Sequence, residues 1–172
     1  MPGTRGARAG LGVRAPPRHL TGSRRSAYDG EIGEDPTRAP FPLRALGRVE
    51  SSLKRTEDAP MQGVEGAPDA WIVFEDDVVE GARDLRPGDE VFVLTWLHEA
   101  RRDVLAVHPR DDPTVPEHGV FSTRSSDRPN PIGLHLVEVA EVDGSRVRVR
   151  PLEAIDGTPV VDVKPVLRHE RG

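Results

Sequence analysis

The sequence predicts a mostly β protein, on three observations. Apolar residues recur with period two in short runs, as in Leu43-Arg-Ala-Leu-Gly-Arg-Val-Glu50 and Arg146-Val-Arg-Val-Arg150, the spacing that puts alternate side chains on one face of a pleated strand. Turn residues punctuate these runs, at Arg86-Pro-Gly-Asp89, Asp143-Gly144 and Asp156-Gly-Thr-Pro159. Beyond the first forty residues, only 78–85 and 99–103 carry even a short helical signal.

Taken in order, residues 1–40 are rich in Gly, Pro, Arg and Ser. Such a composition buries too little apolar surface to offset chain entropy, so a disordered basic tail is expected there and a folded domain over residues 41–172. The first strand falls in the run Leu43 to Glu50, and a polar loop follows. Ala59-Pro-Met-Gln-Gly-Val-Glu-Gly-Ala-Pro68 reads as loop by its Pro and Gly content. Trp71-Ile-Val-Phe74 is a short apolar strand. Glu90-Val-Phe-Val-Leu-Thr-Trp-Leu97 is almost continuously apolar, as expected of a central strand covered on both faces. Polar residues close it, His98-Glu99-Ala-Arg-Arg-Asp103. A further strand is expected over residues 104–107, a loop over 108–116, and short strand character over Gly119-Val-Phe-Ser-Thr123.

The segment Arg124-Ser-Ser-Asp-Arg-Pro-Asn-Pro-Ile-Gly133 is the least regular part of the domain. Pro129 and Pro131 fix φ and push Arg128 and Asn130 toward extended geometry, so a rigid, non-helical loop is expected, and such loops are favoured places for a ligand. An apolar strand follows from Ile132 to Val142. Asp143-Gly144 then predicts a type I′ hairpin into Arg146-Val-Arg-Val-Arg150. The three arginines of that strand share a face, to be read as a phosphate ladder or as a solvated sheet face diluted by Glu138, Glu141 and Asp143. Pro151-Leu-Glu-Ala-Ile155, the Asp156-Gly157 turn and Val160 to Pro165 close the chain as strand, turn and strand.

Charge and composition exclude several classes. The formal net charge of −5 divides unevenly: the tail holds seven arginines and four acidic residues, about +3, which leaves about −8 for the domain. An acidic domain does not advertise nucleic-acid binding, so RNA contact requires a local basic patch, the tail or a groove between two copies. Cysteine is absent, which excludes disulfides and thiolate metal sites. No apolar run approaches membrane-span length, and the N-terminus lacks a signal peptide's apolar core, so a cytoplasmic protein is expected.

The chain has no Gly-rich turn between a strand and a helix and no Gly-Lys-Ser/Thr, which removes the commonest nucleotide folds. Metal binding is not expected: His98-Glu99 is followed by Arg102 where a zinc helix needs its second histidine, and His108, His118 and His135 share no ligand spacing. No Gly-x-Ser-x-Gly elbow marks Ser122, Ser125 or Ser126 as a nucleophile.

Two long blocks, HGVFSTRSSDRPNPIGLHLVEV and LEAIDGTPVVDVKP, resemble the TrmO/TsaA-like family of S-adenosylmethionine-dependent tRNA methyltransferases. The resemblance runs from about residue 43 to residue 167. It implies a small single-sheet antiparallel β-barrel, a homodimer, and S-adenosylmethionine as cofactor. By resemblance, Pro60, Met61 and Gln62 lie on the cofactor, as do His98 and Glu99, Arg124, Leu134, and Leu152, Glu153 and Ala154. Where the family has a His-Gln pair this chain has His98-Glu99, and a carboxylate accepts hydrogen bonds but cannot donate them.

The implied reaction is methylation of the exocyclic amine of threonylcarbamoyladenosine next to the tRNA anticodon. It is a displacement at a sulfonium carbon that depends chiefly on alignment. Arg124 would pair with the methionyl carboxylate, and Arg101, Arg102, Arg124 and Arg128 of two subunits would supply local charge for RNA. No general base is identifiable. The alternatives are a same-fold methyltransferase acting on a small molecule or another RNA, and a non-catalytic S-adenosylmethionine-binding module.

Overall fold

In the computed structural model, which describes residues 42–167, the period-two runs become strands: β1 (Gly47–Glu50), β2 (Ala70–Phe74), β3 (Glu90–Trp96), β4 (Ala106–Val107), β5 (His118–Gly119), β6 (Ile132–Asp143), β7 (Arg146–Arg150) and β8 (Pro159–Pro165). Six of them close into an antiparallel barrel in the order β1-β2-β7-β6-β3-β8, and β4 pairs with β5 apart from it. The expected barrel is present, with that two-stranded ladder as an addition. The expected tail, residues 1–40, lies outside the described residues.

The inner face follows strand parity. Val49, Ile72, Val91, Val93, Val137, Val139, Val147, Val149 and Val160 are all buried. Val predominates because its branched side chain suits an extended backbone and because six strands enclose a narrow lumen. Gly47 sits where β1 approaches β2 most closely: a Cβ there would come nearer than 3.0 Å to the backbone of Val73 and Phe74.

The outer face has two characters. On β3 and β6, Phe92, Leu94 and Trp96 lie directly across from Leu136, Leu134 and Ile132, and the last three are 54%, 45% and 42% exposed. On β7 the arginines are all ion-paired, Arg146 with Glu50, Arg148 with Asp69 and Glu141, and Arg150 with Glu138. Arg146 and Arg148 also lie over the Trp71 ring. The shared arginine face is therefore present, but its charge is locally neutralised.

Several boundaries differ from the sequence reading. Strand β1 starts only at Gly47, although Leu46 N–H already donates to Val160 O at 2.8 Å and Leu46 O accepts from Glu75 N–H at 2.9 Å. Of residues 104–107 only Ala106–Val107 pairs, and after Gly119 the chain turns into a 3-10 segment, Val120–Ser122, instead of extending as a strand. Residues 78–85 hold a 3-10 turn, Val79–Ala82, whereas 99–103 hold no helix.

Residues 151–155 are not a strand. Pro151 has no N–H for a ladder, and the segment instead buries Leu152, Ala154 and Ile155 while Leu152 N–H donates to Pro68 O at 3.0 Å. The hairpin turn falls on Gly144-Ser145 rather than Asp143-Gly144. A bulge between Val139 and Glu141 shifts the register so that Asp143 pairs with Arg146; without it one residue would remain for the turn. Only Gly144, at φ +58°, has positive φ in that pair, which fits type II′ rather than I′.

Replacing Gly47 by Ala is expected to destabilise the barrel by about 1–3 kcal/mol, the range for overpacking a rigid site. Urea unfolding checks this as a lower midpoint with an unchanged slope.

Candidate cofactor-binding site

Antiparallel closure gathers three connections at one end of the barrel: residues 51–69 between β1 and β2, 97–131 between β3 and β6, and 151–158 between β7 and β8. Pro60, Met61, Gln62, His98, Glu99, Arg124, Leu152, Glu153 and Ala154 all belong to these connections. Leu134 lies three residues into β6 at the same end.

Backbone hydrogen bonds and buried polar groups hold the connections together. Leu97 N–H donates to Pro131 O at 2.8 Å, and Ala100 N–H to Leu97 O at 3.0 Å, which makes His98 and Glu99 the exposed centre of a tight turn. That turn is tied sideways: Thr56 Oγ1 donates to Glu99 Oε2 at 2.7 Å, Arg101 N–H to Asp127 Oδ1 at 2.9 Å, and Arg128 N–H to Arg101 O at 3.0 Å. The Arg128 side chain donates to the carbonyls of Ser125, Val120 and Thr123 at 2.8, 3.2 and 2.8 Å. Arg128 is thus the clamp of the proline loop, and its charge is turned inward. Arg102 stacks on Trp96, 5.1 Å from the ring centroid, and Arg101 pairs with Asp103 at 3.5 Å. Arg124 is exposed and has no hydrogen-bond or ion-pair partner among the described residues.

A second polar group lies beneath the mouth. His135, 5% exposed, occupies the inner face of β6 between Gly133 and Val137. Its Nε2 is 2.9 Å from Thr95 Oγ1, and its Nδ1 is 2.7 Å from Glu153 Oε1. Gly133 makes the room: a Cβ there would lie closer than 3.0 Å to both Thr95 Oγ1 and His135 Nε2. On the mouth side, a Cβ on Gly63 would lie 3.0 Å from Glu153 Oε2. The 3-10 turn Gly63–Glu65, next in sequence to Pro60-Met61-Gln62, also lies against β6.

The site residues expected from the resemblance therefore fall into distinct settings. Met61, Gln62, His98, Glu99 and Arg124 present exposed side chains, and Pro60 and Glu153 are partly buried. Leu152 and Ala154 are buried at 0% and 3% in the barrel core, so neither offers an exposed surface to a ligand. Leu134 points to the outside, opposite in parity to His135. Depressions of about 450 and 490 Å3 open beside residues 48–54 and 101–111 and include none of the ten. Sequence reading missed His135, Thr95 and Arg128 as site builders. The parity shared by Gly133, His135 and Val137 was the available signal for the first.

Comparison with known proteins addresses what this mouth belongs to. The model of the tRNA-methyltransferase O N-terminal domain matches residues 48–170. The chain belongs to that family. An S-adenosyl-L-methionine-binding protein of Archaeoglobus fulgidus is 42% identical over 122 residues, 71% of this chain and 86% of the relative. A probable S-adenosyl-L-methionine-binding protein of Methanothermobacter thermautotrophicus is 44% identical over 123 residues, 72% of this chain and 88% of its own length. A second Archaeoglobus fulgidus relative, also named a probable S-adenosyl-L-methionine-binding protein, is 44% identical, but the match covers 33% of it. Two crystal structures of TrmO from Pseudomonas aeruginosa superpose with TM-scores of 0.62 and 0.59 at 24% and 23% identity. They share the fold over 77% of this chain and 57% and 58% of theirs.

Asp156 joins two of the three connections. Its Oδ1 accepts from Ser51 N–H at 3.0 Å and its Oδ2 pairs with Lys54 at 2.9 Å, while its own N–H donates to Leu53 O at 2.8 Å. The Lys54 contact first, then the Ser51 amide, hold the carboxyl below the usual aspartate range. A depressed carboxyl contributes stability that is present above the unfolded value, about 3.9, and is lost as pH falls through the folded value. Asp156→Asn is accordingly expected to lower the melting temperature at pH 7, with the gap to wild type closing below about pH 4. Thermal melts across pH check this.

Proposed function

We propose that the chain binds S-adenosylmethionine at this mouth and, as a homodimer, transfers its methyl group to the exocyclic amine of threonylcarbamoyladenosine beside the tRNA anticodon. Membership of the tRNA-methyltransferase O family over residues 48–170 is the observation that carries the reading. The residues present fit the cofactor. Arg124 is an exposed cation without a partner among the described residues, suited to a carboxylate. Glu99 and Glu153 each have one oxygen engaged within the protein, by Thr56 and by His135, and a second that is available to hydroxyl or ammonium donors.

Bound there, the sulfonium supplies an electrophilic methyl group. The chain's own contribution is alignment: the loop clamped by Arg128 and bracketed by Pro129 and Pro131 holds Arg124 on a stiff base, and holding reactants in line removes much of an entropic barrier. A splayed anticodon-loop base is the form of RNA that enters a narrow mouth. Since Arg128 is committed to its loop and Arg124 to the cofactor carboxylate, Arg102 and Arg101 are left to face phosphate, with Asp103 offsetting part of the Arg101 charge. A cytoplasmic setting belongs to the same reading.

The dimer part rests on the outer face of β3 and β6, where Phe92, Leu94, Trp96, Ile132, Leu134 and Leu136 form an apolar stripe. A two-fold axis would lay this stripe on its own copy. The stripe includes Leu134, so an interface there borders the mouth and encloses a surface that one chain leaves open.

Calorimetry with S-adenosylmethionine is expected to show binding, weakened more than about tenfold by Arg124→Ala, as loss of a charge-assisted contact predicts. Mass spectrometry of nucleosides from tRNA with and without the threonylcarbamoyl group is expected to find the added methyl only on the modified adenosine. Binding without methylation of either tRNA would favour the non-catalytic or small-molecule readings, in keeping with relatives named only for the cofactor. Absence of binding would remove the proposal. Light scattering at micromolar concentration is expected to give a dimer mass that Leu136→Glu reduces to a monomer mass; a monomeric wild type would overturn the dimer.

A further inference from the structure

Beneath the mouth, the proposed reaction uses Glu153 but gives no role to the buried His135 and Thr95 behind it. We infer that His135, backed by Thr95, is a positioning residue that fixes the Glu153 carboxylate and reserves its outer oxygen, Oε2, for a hydrogen-bond donor on the bound cofactor. The inference rests on the reading of the mouth as the cofactor site.

Hydrogen-bond bookkeeping assigns the protons. An ionised Glu153 only accepts, so at 2.7 Å from Oε1 the ring nitrogen Nδ1 carries the hydrogen. In a neutral ring Nε2 is then an acceptor, and Thr95 Oγ1, 2.9 Å away, is the donor that satisfies it. Thr95 is 0% exposed and His135 5%, so neither exchanges these partners with water at low cost. For a neutral ring facing a carboxylate the direction is hydroxyl to Nε2 and Nδ1–H to Oε1. Only Oε2 remains, on the side facing Gly63.

Two glycines bound this arrangement. Gly133 is the cross-strand partner of Thr95, and any side chain there would displace the ring or the hydroxyl. Gly63 packs close to Oε2, where an added Cβ would lie 3.0 Å from the oxygen, while the Glu153 side chain keeps 19% exposure, through which a ligand donor can reach it. A carboxylate held in one rotamer spends less conformational entropy when a ligand donor arrives, the usual advantage of locking a contacting group from behind. Two donors of the cofactor have the right chemistry, the ribose hydroxyls and the methionyl ammonium.

The test separates holding the carboxylate from filling the core. Asn places an amide nitrogen near the position of Nδ1 and keeps the donor, whereas Leu fills similar volume without one. His135→Leu is expected to weaken S-adenosylhomocysteine binding by about tenfold, the order expected for losing a hydrogen bond to a charged group, and His135→Asn to restore most of it. In a Glu153→Gln background, His135→Leu is expected to add little, since the two act as one unit. Methylthioadenosine, which keeps the ribose and lacks the amino acid, identifies the donor: a penalty shared by both ligands assigns the ribose, and a penalty only with S-adenosylhomocysteine assigns the ammonium.

Nitrogen-15 spectra of the wild type supply a readout independent of variant folding, with His135 expected as the Nδ1–H tautomer and its Nδ1–H resonance shifting when ligand binds. An Nε2–H tautomer, or His135→Leu binding as tightly as wild type, would overturn the inference while leaving the cofactor reading intact. A wild type that binds neither ligand would remove both.

Discussion

Four residues close the barrel. Strand β1 pairs with β2 along its whole length and with β8 through Gly47 and Arg48 only, so the ring is completed at its shortest strand. That closure removes every free edge among the six strands and forces the three long connections to one end. It also explains the composition of the lumen. A ring this narrow accepts mostly valine along its inner face, with Ile72 and Phe74 on β2, and where Gly133 omits a side chain the space is taken by an imidazole.

The two outer faces divide the remaining work by polarity. Around β7, arginines and carboxylates neutralise one another over Trp71, and exposed pairs of this kind add little stability but keep that side soluble and uncommitted. Around β3 and β6 the outer face is apolar, partly buried at Phe92, Leu94 and Trp96, where Arg102 lies over the ring, and exposed at Ile132, Leu134 and Leu136.

At the mouth, rigidity comes from backbone groups more than from regular structure. The proline loop has no ladder, yet the Arg128 guanidinium collects the carbonyl of Ser125 within it and those of Val120 and Thr123 just before it, and the 97–100 turn is pinned by Thr56 and Pro131, with Asp127 holding the next amide, that of Arg101. Side chains fixed in this way leave Arg124 exposed by default, as the loop's cation with no internal task. Beneath it, Thr95, His135 and Glu153 form a hydrogen-bonded chain that runs from the core toward the mouth.

Side-chain parity is a local property of an extended backbone, and the sequence by itself determined it where the pattern is clean: Val147 and Val149 alternate with arginines and could be read as core, and the Pro129-Asn-Pro131 stretch as irregular and rigid, without knowing any partner strand. On β3, expected to be covered on both faces, and on β6 it could not, because the outward Phe92, Leu94, Trp96, Ile132, Leu134 and Leu136 are as apolar as the residues that face inward. The family was legible in the two long blocks. The rest only the tertiary structure decided. Residues 151–155 look like a strand but turn inward to plug the barrel end, since Pro151 cannot continue a ladder and Pro68 offers Leu152 a different acceptor. The Asp143-Gly144 turn moved by one residue because a bulge at residue 140 altered the register of two strands at once. Arg128 looked like surface charge and became a clamp, while His135 looked like an isolated histidine and became the link between residues 40 and 18 positions away. The plug at residues 151–155 and the His135 link are set by contacts between segments distant in the chain, which exist only once the ring has closed, whereas the Arg128 clamp and the hairpin bulge are local contacts that residue type and spacing do not announce.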